Sequence, residues 1–319
     1  MSRLWLFVPL VLIWLQCRQP QRSSIGPPSV FHGQRTLFLG NSITQNGMYV
    51  SMVAYYLTKQ YPVDSFDLIS VGLSSETVSG LSEPGHPFPR PNLHERLDRI
   101  IAALKPTLIF ACYGMNDGIY APFDSVRYKA YQQGINLLRE KAEAAPAALV
   151  LLTPPIFDSL PLLSIIHHDS QRGFGYAAPY AGYNMEVLKV YRDWLKKLPH
   201  KTVDLFTVMN QMTYERRKTN AAFSLSPDGV HPSDEGHLFM AEQLLREMNV
   251  PFHPVPLDSM LNDTLFQLVH LRRQKMSEAW LGHIGYIRED TVKRDGLTQA
   301  LDEAADLRQQ IKAILDTER

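Results

Sequence analysis

Short apolar runs and longer helical stretches alternate along most of this chain. Runs at 36–39, 67–71, 107–112, 148–153 and 202–205 read as strands, and stretches at 48–60, 93–104, 125–143, 184–198 and 233–248 read as helices. Several strand segments are apolar without alternation, as in Leu108-Ile109-Phe110-Ala111 and Leu149-Val150-Leu151-Leu152. Strands buried on both faces have that pattern, which calls for a mainly parallel sheet with helices on each side. Helices between parallel strands serve as right-handed crossovers. The expected fold is therefore α/β, a three-layer α/β/α sandwich with about five strands over residues 34–250.

Both ends depart from the alternation. Arg3 precedes an apolar run from Leu4 to Leu15, interrupted by Pro9 and closed by Cys17. The run falls short of the ~20 residues of a membrane span and has the length of a signal-peptide core. Residues 1–17 are expected to direct export to the periplasm, the membrane or the exterior. A cysteine there resembles the lipidation site of a bacterial lipoprotein, with Cys17 as the attachment point to a membrane, although Trp14 and Gln16 stand where smaller residues are usual. Residues 18–33, rich in Pro, Ser and Gly, read as a linker. Beyond Pro251, Leu257, Leu261, Leu265 and Leu268, then Leu297, Leu301, Ala304, Ile311 and Ile314, recur at helical spacing among charges. Residues 251–319 are expected to form a helical extension, not a second catalytic domain; the pattern sets neither its partner nor an oligomeric state.

Composition narrows the function classes. Lys+Arg and Asp+Glu both total 32, so the net charge is zero and no basic field exists for nucleic acid. The two cysteines, Cys17 and Cys112, offer no disulfide framework, and Cys112 in its apolar run reads as a small buried hydrophobe. His167-His168-Asp169 lacks a second spaced ligand pair, so no metal is expected.

Candidate chemistry lies in four clusters at or after strand ends: Gly40-Asn41-Ser42, Val71-Gly72-Leu73-Ser74, Tyr113-Gly114-Met115-Asn116-Asp117, and Asp228-Gly229-Val230-His231. The carboxyl edge of a doubly wound sheet is where such loops converge. A serine hydroxyl is a weak nucleophile and needs a base in hydrogen-bond reach. His231 can be that base, with Asp228 three residues earlier to fix its tautomer. The N–H groups of Ser42 and Gly72 and the Asn116 side-chain amide can hold an oxyanion. Each residue also has an ordinary alternative: Ser42 or Asp228 as a helix cap, Gly72 as a turn residue, His231 at the surface. His237 falls inside the last predicted helix, lacks an aspartate three residues before it, and reads as structural. The long connection from Thr153 to about Gly182, with Phe157, Phe174, Tyr176, Tyr180 and Tyr183, is expected to line the substrate.

In this order the four clusters resemble the sequence blocks of the SGNH hydrolase superfamily, the GDSL esterases and lipases. Asn41 replaces the more frequent Asp of the nucleophile block, at a position without a catalytic role. The resemblance covers residues 34–248 and implies a flavodoxin-like SGNH hydrolase fold, with Ser42, His231 and Asp228 as triad and Ser42, Gly72 and Asn116 as oxyanion hole. Together with the leader it points to an exported serine esterase that needs no cofactor and acts on a small-molecule or glycan ester. The polar-aromatic connection and the lack of a long continuous apolar lid segment favour short acyl groups such as acetyl on carbohydrate. The alternatives are a lipase or lysophospholipase, an acyltransferase through the same acyl-enzyme, and a non-catalytic glycan-binding or scaffold protein.

Overall fold

Five strands form one parallel sheet: β1 (Arg35–Gly40), β2 (Asp67–Ser70), β3 (Leu108–Cys112), β4 (Ala148–Leu152) and β5 (Lys201–Val203), in the order β2-β1-β3-β4-β5. The computed structural model describes residues 30–168 and 173–317. The leader 1–17 with Cys17, the linker residues 18–29 and Asp169 lie outside the described residues.

Alternate side chains of each strand enter different cores, as the unbroken apolar runs require. Phe38, Phe110, Val150 and Leu152 pack with α2 (Met48–Gln60) and α7 (Asp234–Glu247) on one face. Leu37, Leu39, Ile109 and Leu151 pack on the other with α3 (Leu93–Leu104), α4 (Ser125–Ala144) and α5 (Lys189–Leu195). The expected α/β/α sandwich is thus formed. Its chain reverses winding direction between β1 and β3, and that switch point opens a crevice at the carboxyl edge.

Four details differ from the sequence reading. The body begins before residue 34, because Phe31 is buried and stacks on Phe110 at 5.7 Å between ring centres. The last strand ends early: Asp204 accepts a hydrogen bond from the Thr207 amide at 3.0 Å and caps α6 (Leu205–Arg217), a helix the pattern did not reveal. The helix expected at 184–198 opens with a π-helical turn, Tyr183–Leu188, before α5. The extension holds α8 (Leu257–Leu261), α9 (Thr264–Ile284) and α10 (Leu297–Thr317), but also a two-residue hairpin, β6 (Tyr286–Ile287) with β7 (Thr291–Val292).

The extension shares the main core. Met260, Leu265, Phe266 and Ile311 join the cluster under α2, and α9 packs against α2 and the edge strand β2. Arg99 on α3 donates to the carbonyls of Ile284 and Gly285, both at 3.2 Å, and latches the end of α9 to the opposite helical layer. No helix among the described residues is long and apolar enough to cross a membrane.

Candidate active site

The strand β1 ends at Gly40, and the next three residues set the nucleophile. Asn41 caps α1 (Ser42–Asn46): its side-chain oxygen accepts from the Ile43 amide at 3.1 Å. Capping therefore falls to Asn41, and the Ser42 hydroxyl is spared for other work. Ser42 is the first residue of the helix, so its N–H is one of the amides no helix can satisfy internally. Its Oγ lies 2.7 Å from His231 Nε2.

His231 and Asp228 come from the turn before α7. His231 Nδ1 is 2.7 Å from one Asp228 carboxylate oxygen, and the amides of Val230 and His231 donate to the other at 2.9 and 2.7 Å. A carboxylate on Nδ1 places the ring proton there and leaves Nε2 as an acceptor facing Ser42. Partial burial works to raise the Asp228 carboxyl, but the hydrogen bonds from His231 and Val230 hold it down to about 2. Gly229 makes the turn at φ +81°, and a Cβ there would lie 2.4 Å from Leu162 Cδ1. Its carbonyl accepts from the Asp158 amide at 2.8 Å, and the buried Asp158 carboxylate is gripped by Arg217 at 2.6 and 2.8 Å. The base is thus braced by Asp158 in the loop after β4 and by Arg217 at the end of α6, two residues that the sequence reading did not single out.

Asn116 stands across the crevice, in the loop after β3. One of its amide hydrogens goes to the Glu76 carbonyl at 3.1 Å, and its oxygen accepts from Tyr120 at 3.0 Å, which leaves a second hydrogen for the cavity it lines. Glu76 is fully buried and paired with Arg96 through two bonds of 2.6 and 2.7 Å, with Tyr113 donating at 2.6 Å. Arg96 also donates to the carbonyl of Val71, next to Gly72, at 2.8 Å. One buried ion pair therefore braces both proposed oxyanion blocks. Asp117 adds a clamp by accepting from the amides of Val78, Ser79 and Gly114 at 2.8–2.9 Å. Gly72 lies flat on α1; a Cβ would sit 2.4 Å from the Gln45 nitrogen. It borders a neighbouring space with Gln45 and Arg273, whereas Ser42, His231 and Asn116 share the cavity in front of the nucleophile.

That cavity has a volume of about 210 Å³. Of the five aromatic residues expected to line it from the 153–182 connection, Tyr176 does; Phe157 and Tyr183 are core residues with 2% and 0% exposure. Other walls come from the Pro- and Gly-rich loop between β2 and α3, through His86, Phe88 and Arg90. That loop's length and position after a strand were the signal available in the sequence. Arg90 forms a buried two-bond pair with Glu83 at 2.6 and 2.7 Å. Burial works to raise the Glu83 carboxyl, but Arg90 holds it below the usual range, so this wall carries no net charge. Arg288, from the β6–β7 hairpin, lies 4.4 Å over the Phe88 ring and donates to the Ser74 carbonyl at 3.4 Å. The extension thereby backs two residues of the cavity.

Two other expected residues have structural surroundings. Cys112 is buried, and burial pushes its thiol up to about 12. His237 is 3% exposed and stacks on Tyr49 at 6.1 Å. Burial, then the charges of Arg273 and His231, push it down to about 3. The unfolded chain protonates this histidine near ~6.5 while the folded protein keeps it neutral. Its contribution is full above that value and is lost as pH falls from there toward 3. In His237→Gln the fall in Tm between pH 7 and pH 4.5 should shrink by a few degrees, corresponding to about 2–3 kcal/mol. An unchanged fall in a thermal scan would contradict this.

Comparison with known proteins adds independent findings. The GDSL-like Lipase/Acylhydrolase family matches residues 38–238. An acetylxylan esterase of Geobacillus stearothermophilus is 24% identical over 231 residues, 68% of this chain and 94% of its own. A crystal structure of a catalytic mutant of such an esterase from that organism superposes with a TM-score of 0.52 at 22% identity, over 71% of this chain and 99% of its own. A gut microbial diltiazem-metabolizing enzyme gives 0.52 at 20% identity over 69% of this chain, which spans about half (47%) of that protein's length. At these identities the structural likeness is one of fold.

Proposed function

Because the chain belongs to the GDSL-like Lipase/Acylhydrolase family, we propose that it is a serine esterase that removes short acyl groups, acetyl foremost, from carbohydrate, and that residues 1–17 export it. The observation that carries this reading is the continuous hydrogen-bonded line Ser42–His231–Asp228 opening on a cavity that Asn116 also lines.

In the proposed reaction His231 Nε2 takes the Ser42 hydroxyl proton as Oγ bonds to the ester carbonyl carbon. The carbonyl oxygen becomes an oxyanion, held by the Ser42 N–H and the Asn116 amide; Gly72, expected as a third donor, borders the neighbouring space instead. Donors of this kind are worth about 10²–10³ each in rate. Asp228 stays ionised and stabilises the imidazolium. The tetrahedral species collapses as the C–O bond to the alcohol breaks, and His231 returns its proton to that alcohol. Water, deprotonated by His231, then attacks the acyl-enzyme; the acid leaves and Ser42 recovers its hydrogen.

Substrate size and charge follow from the walls. A cavity of about 210 Å³ is below the ~300–1,000 Å³ of common small-molecule clefts, which suits a short acyl group. Arg90 is neutralised by Glu83, so no unpaired guanidinium there selects an acidic substrate. The rings of Phe88 and Tyr176 are the apolar surface available there to a sugar. Kinetics on aryl esters of rising acyl length, beside acetylated xylo-oligosaccharides, test the reading. Activity should be highest for acetyl and fall with length. A steady climb toward long chains would replace it with the lipase alternative.

A further inference from the structure

A larger cavity, of about 430 Å³, lies beside the edge strand β2, between the end of α2, the 62–66 turn, α9 and α10. Its apolar lining includes Phe66, Leu68, Val269, Ile311 and Leu315. Three cations converge on it. Arg272 stands in the wall with its Nε buried and without a hydrogen-bond partner among the described residues. Arg308 and Lys312, one turn apart on α10, sit exposed at the rim, and neither has an ion-pair or hydrogen-bond partner among the described residues. With Arg273 the lining cations number four against two acids, Asp64 and Asp316.

Elsewhere the buried Arg96 and Arg90 face the carboxylates of Glu76 and Glu83, whereas Arg272 has no such ion pair among the described residues; its orphaned Nε is a feature shared with Arg96 Nη1 and Arg288 Nε. A buried guanidinium N–H without an acceptor is costly and calls for a partner. Burial and the nearby charge of Arg308 hold Arg272 below its ordinary value, and Asp67 only partly offsets them. An anion between Arg272 and the rim cations would relieve both effects, and a guanidinium fork matches a carboxylate. The apolar part of the lining suits an anion that carries a hydrocarbon tail. The volume falls within the range of small-molecule sites.

We propose that this cavity is a binding site for an amphipathic carboxylate: the head between Arg272, Arg308 and Lys312, the aliphatic tail on Phe66, Val269 and Ile311. It is formed by the extension and the main domain together, and it is separate from the cavity at Ser42.

Calorimetric titration of the full chain with decanoate, with acetate as head alone and decanol as tail alone, tests it. Decanoate should bind once per chain, and acetate and decanol at least about tenfold more weakly. The double variant Arg308→Gln/Lys312→Gln changes only exposed side chains. It should weaken decanoate about tenfold and leave the ligand-free Tm and aryl-acetate turnover unchanged. Arg272→Met should weaken decanoate as well and raise the ligand-free Tm, since it removes an unsatisfied buried N–H. Equal affinity for decanol and decanoate would overturn the anion site. Unaltered decanoate binding in the variants would put the ligand elsewhere, the Ser42 cavity included, and would also overturn it. So would no heat at all at about 1 mM, the weak limit of specific binding.

Discussion

Replacing Ser42 with alanine is expected to lower turnover of an aryl acetate by about 10⁴–10⁶ with the fold intact. The substitution removes one partly buried oxygen whose partner is His231 at 2.7 Å, and it leaves the Asn41 cap and its bond to Ile43 in place. His231→Ala should match it, because nucleophile and base act as a unit and their losses do not add. Asp228→Ala should cost less, by roughly tenfold or more. Its side chain is 58% exposed, so water takes up part of the stabilisation that the carboxylate supplies. Thermal scans beside the kinetics separate lost chemistry from lost folding. Comparable turnover in wild type and Ser42→Ala would remove the esterase assignment altogether.

Arg96→Met should destabilise the fold by about 3–5 kcal/mol, as breaking a buried ion pair does. Both side chains of the Arg96–Glu76 pair are 0% exposed, so the orphaned carboxylate cannot reach water. The same change should lower kcat more than it raises KM, because Arg96 touches no substrate and acts through its neighbours. It steadies the Val71 carbonyl beside Gly72, and Glu76 steadies the Asn116 amide. The double change Arg96→Met/Glu76→Leu removes both charges and should recover much of the stability. It should recover less of the rate, since the new side chains do not restore the Arg96 bond to Val71. Denaturant midpoints and steady-state kinetics on wild type and the two variants decide the matter: Arg96→Met as stable as wild type would show that the pair is not the brace described.

The sheet was legible because burial on both faces leaves an unbroken apolar run, and Leu108-Ile109-Phe110-Ala111 admits few other readings. The candidate catalytic residues were legible because each lies in a short block whose spacing is local, Asp228 and His231 within one turn. What escaped was long-range. Asp158 and Arg217 brace the base across 59 positions, and Arg288 reaches Ser74 across 214. Neither pairing leaves a periodic trace in the sequence, since only the closed fold brings the partners together. The aromatic connection misled for a related reason: Phe157 and Tyr183 have the composition of a binding loop, but they fill the space beneath the Asn116 block, where Tyr183 donates to the Met115 carbonyl at 2.7 Å.

The placement of α9 against β2 carries one more consequence. An edge strand presents a row of open backbone groups on which other chains can pair. Here the flank of that strand, with the apolar side chain of Leu68, lies under α9. Cutting the chain near residue 250, to leave little more than the 38–238 stretch that the family matches, would strip that cover. The fragment is expected to self-associate, which size-exclusion chromatography of the truncated and full chains checks. On that expectation the extension shields the β2 edge, and engineering for expression should begin by keeping it.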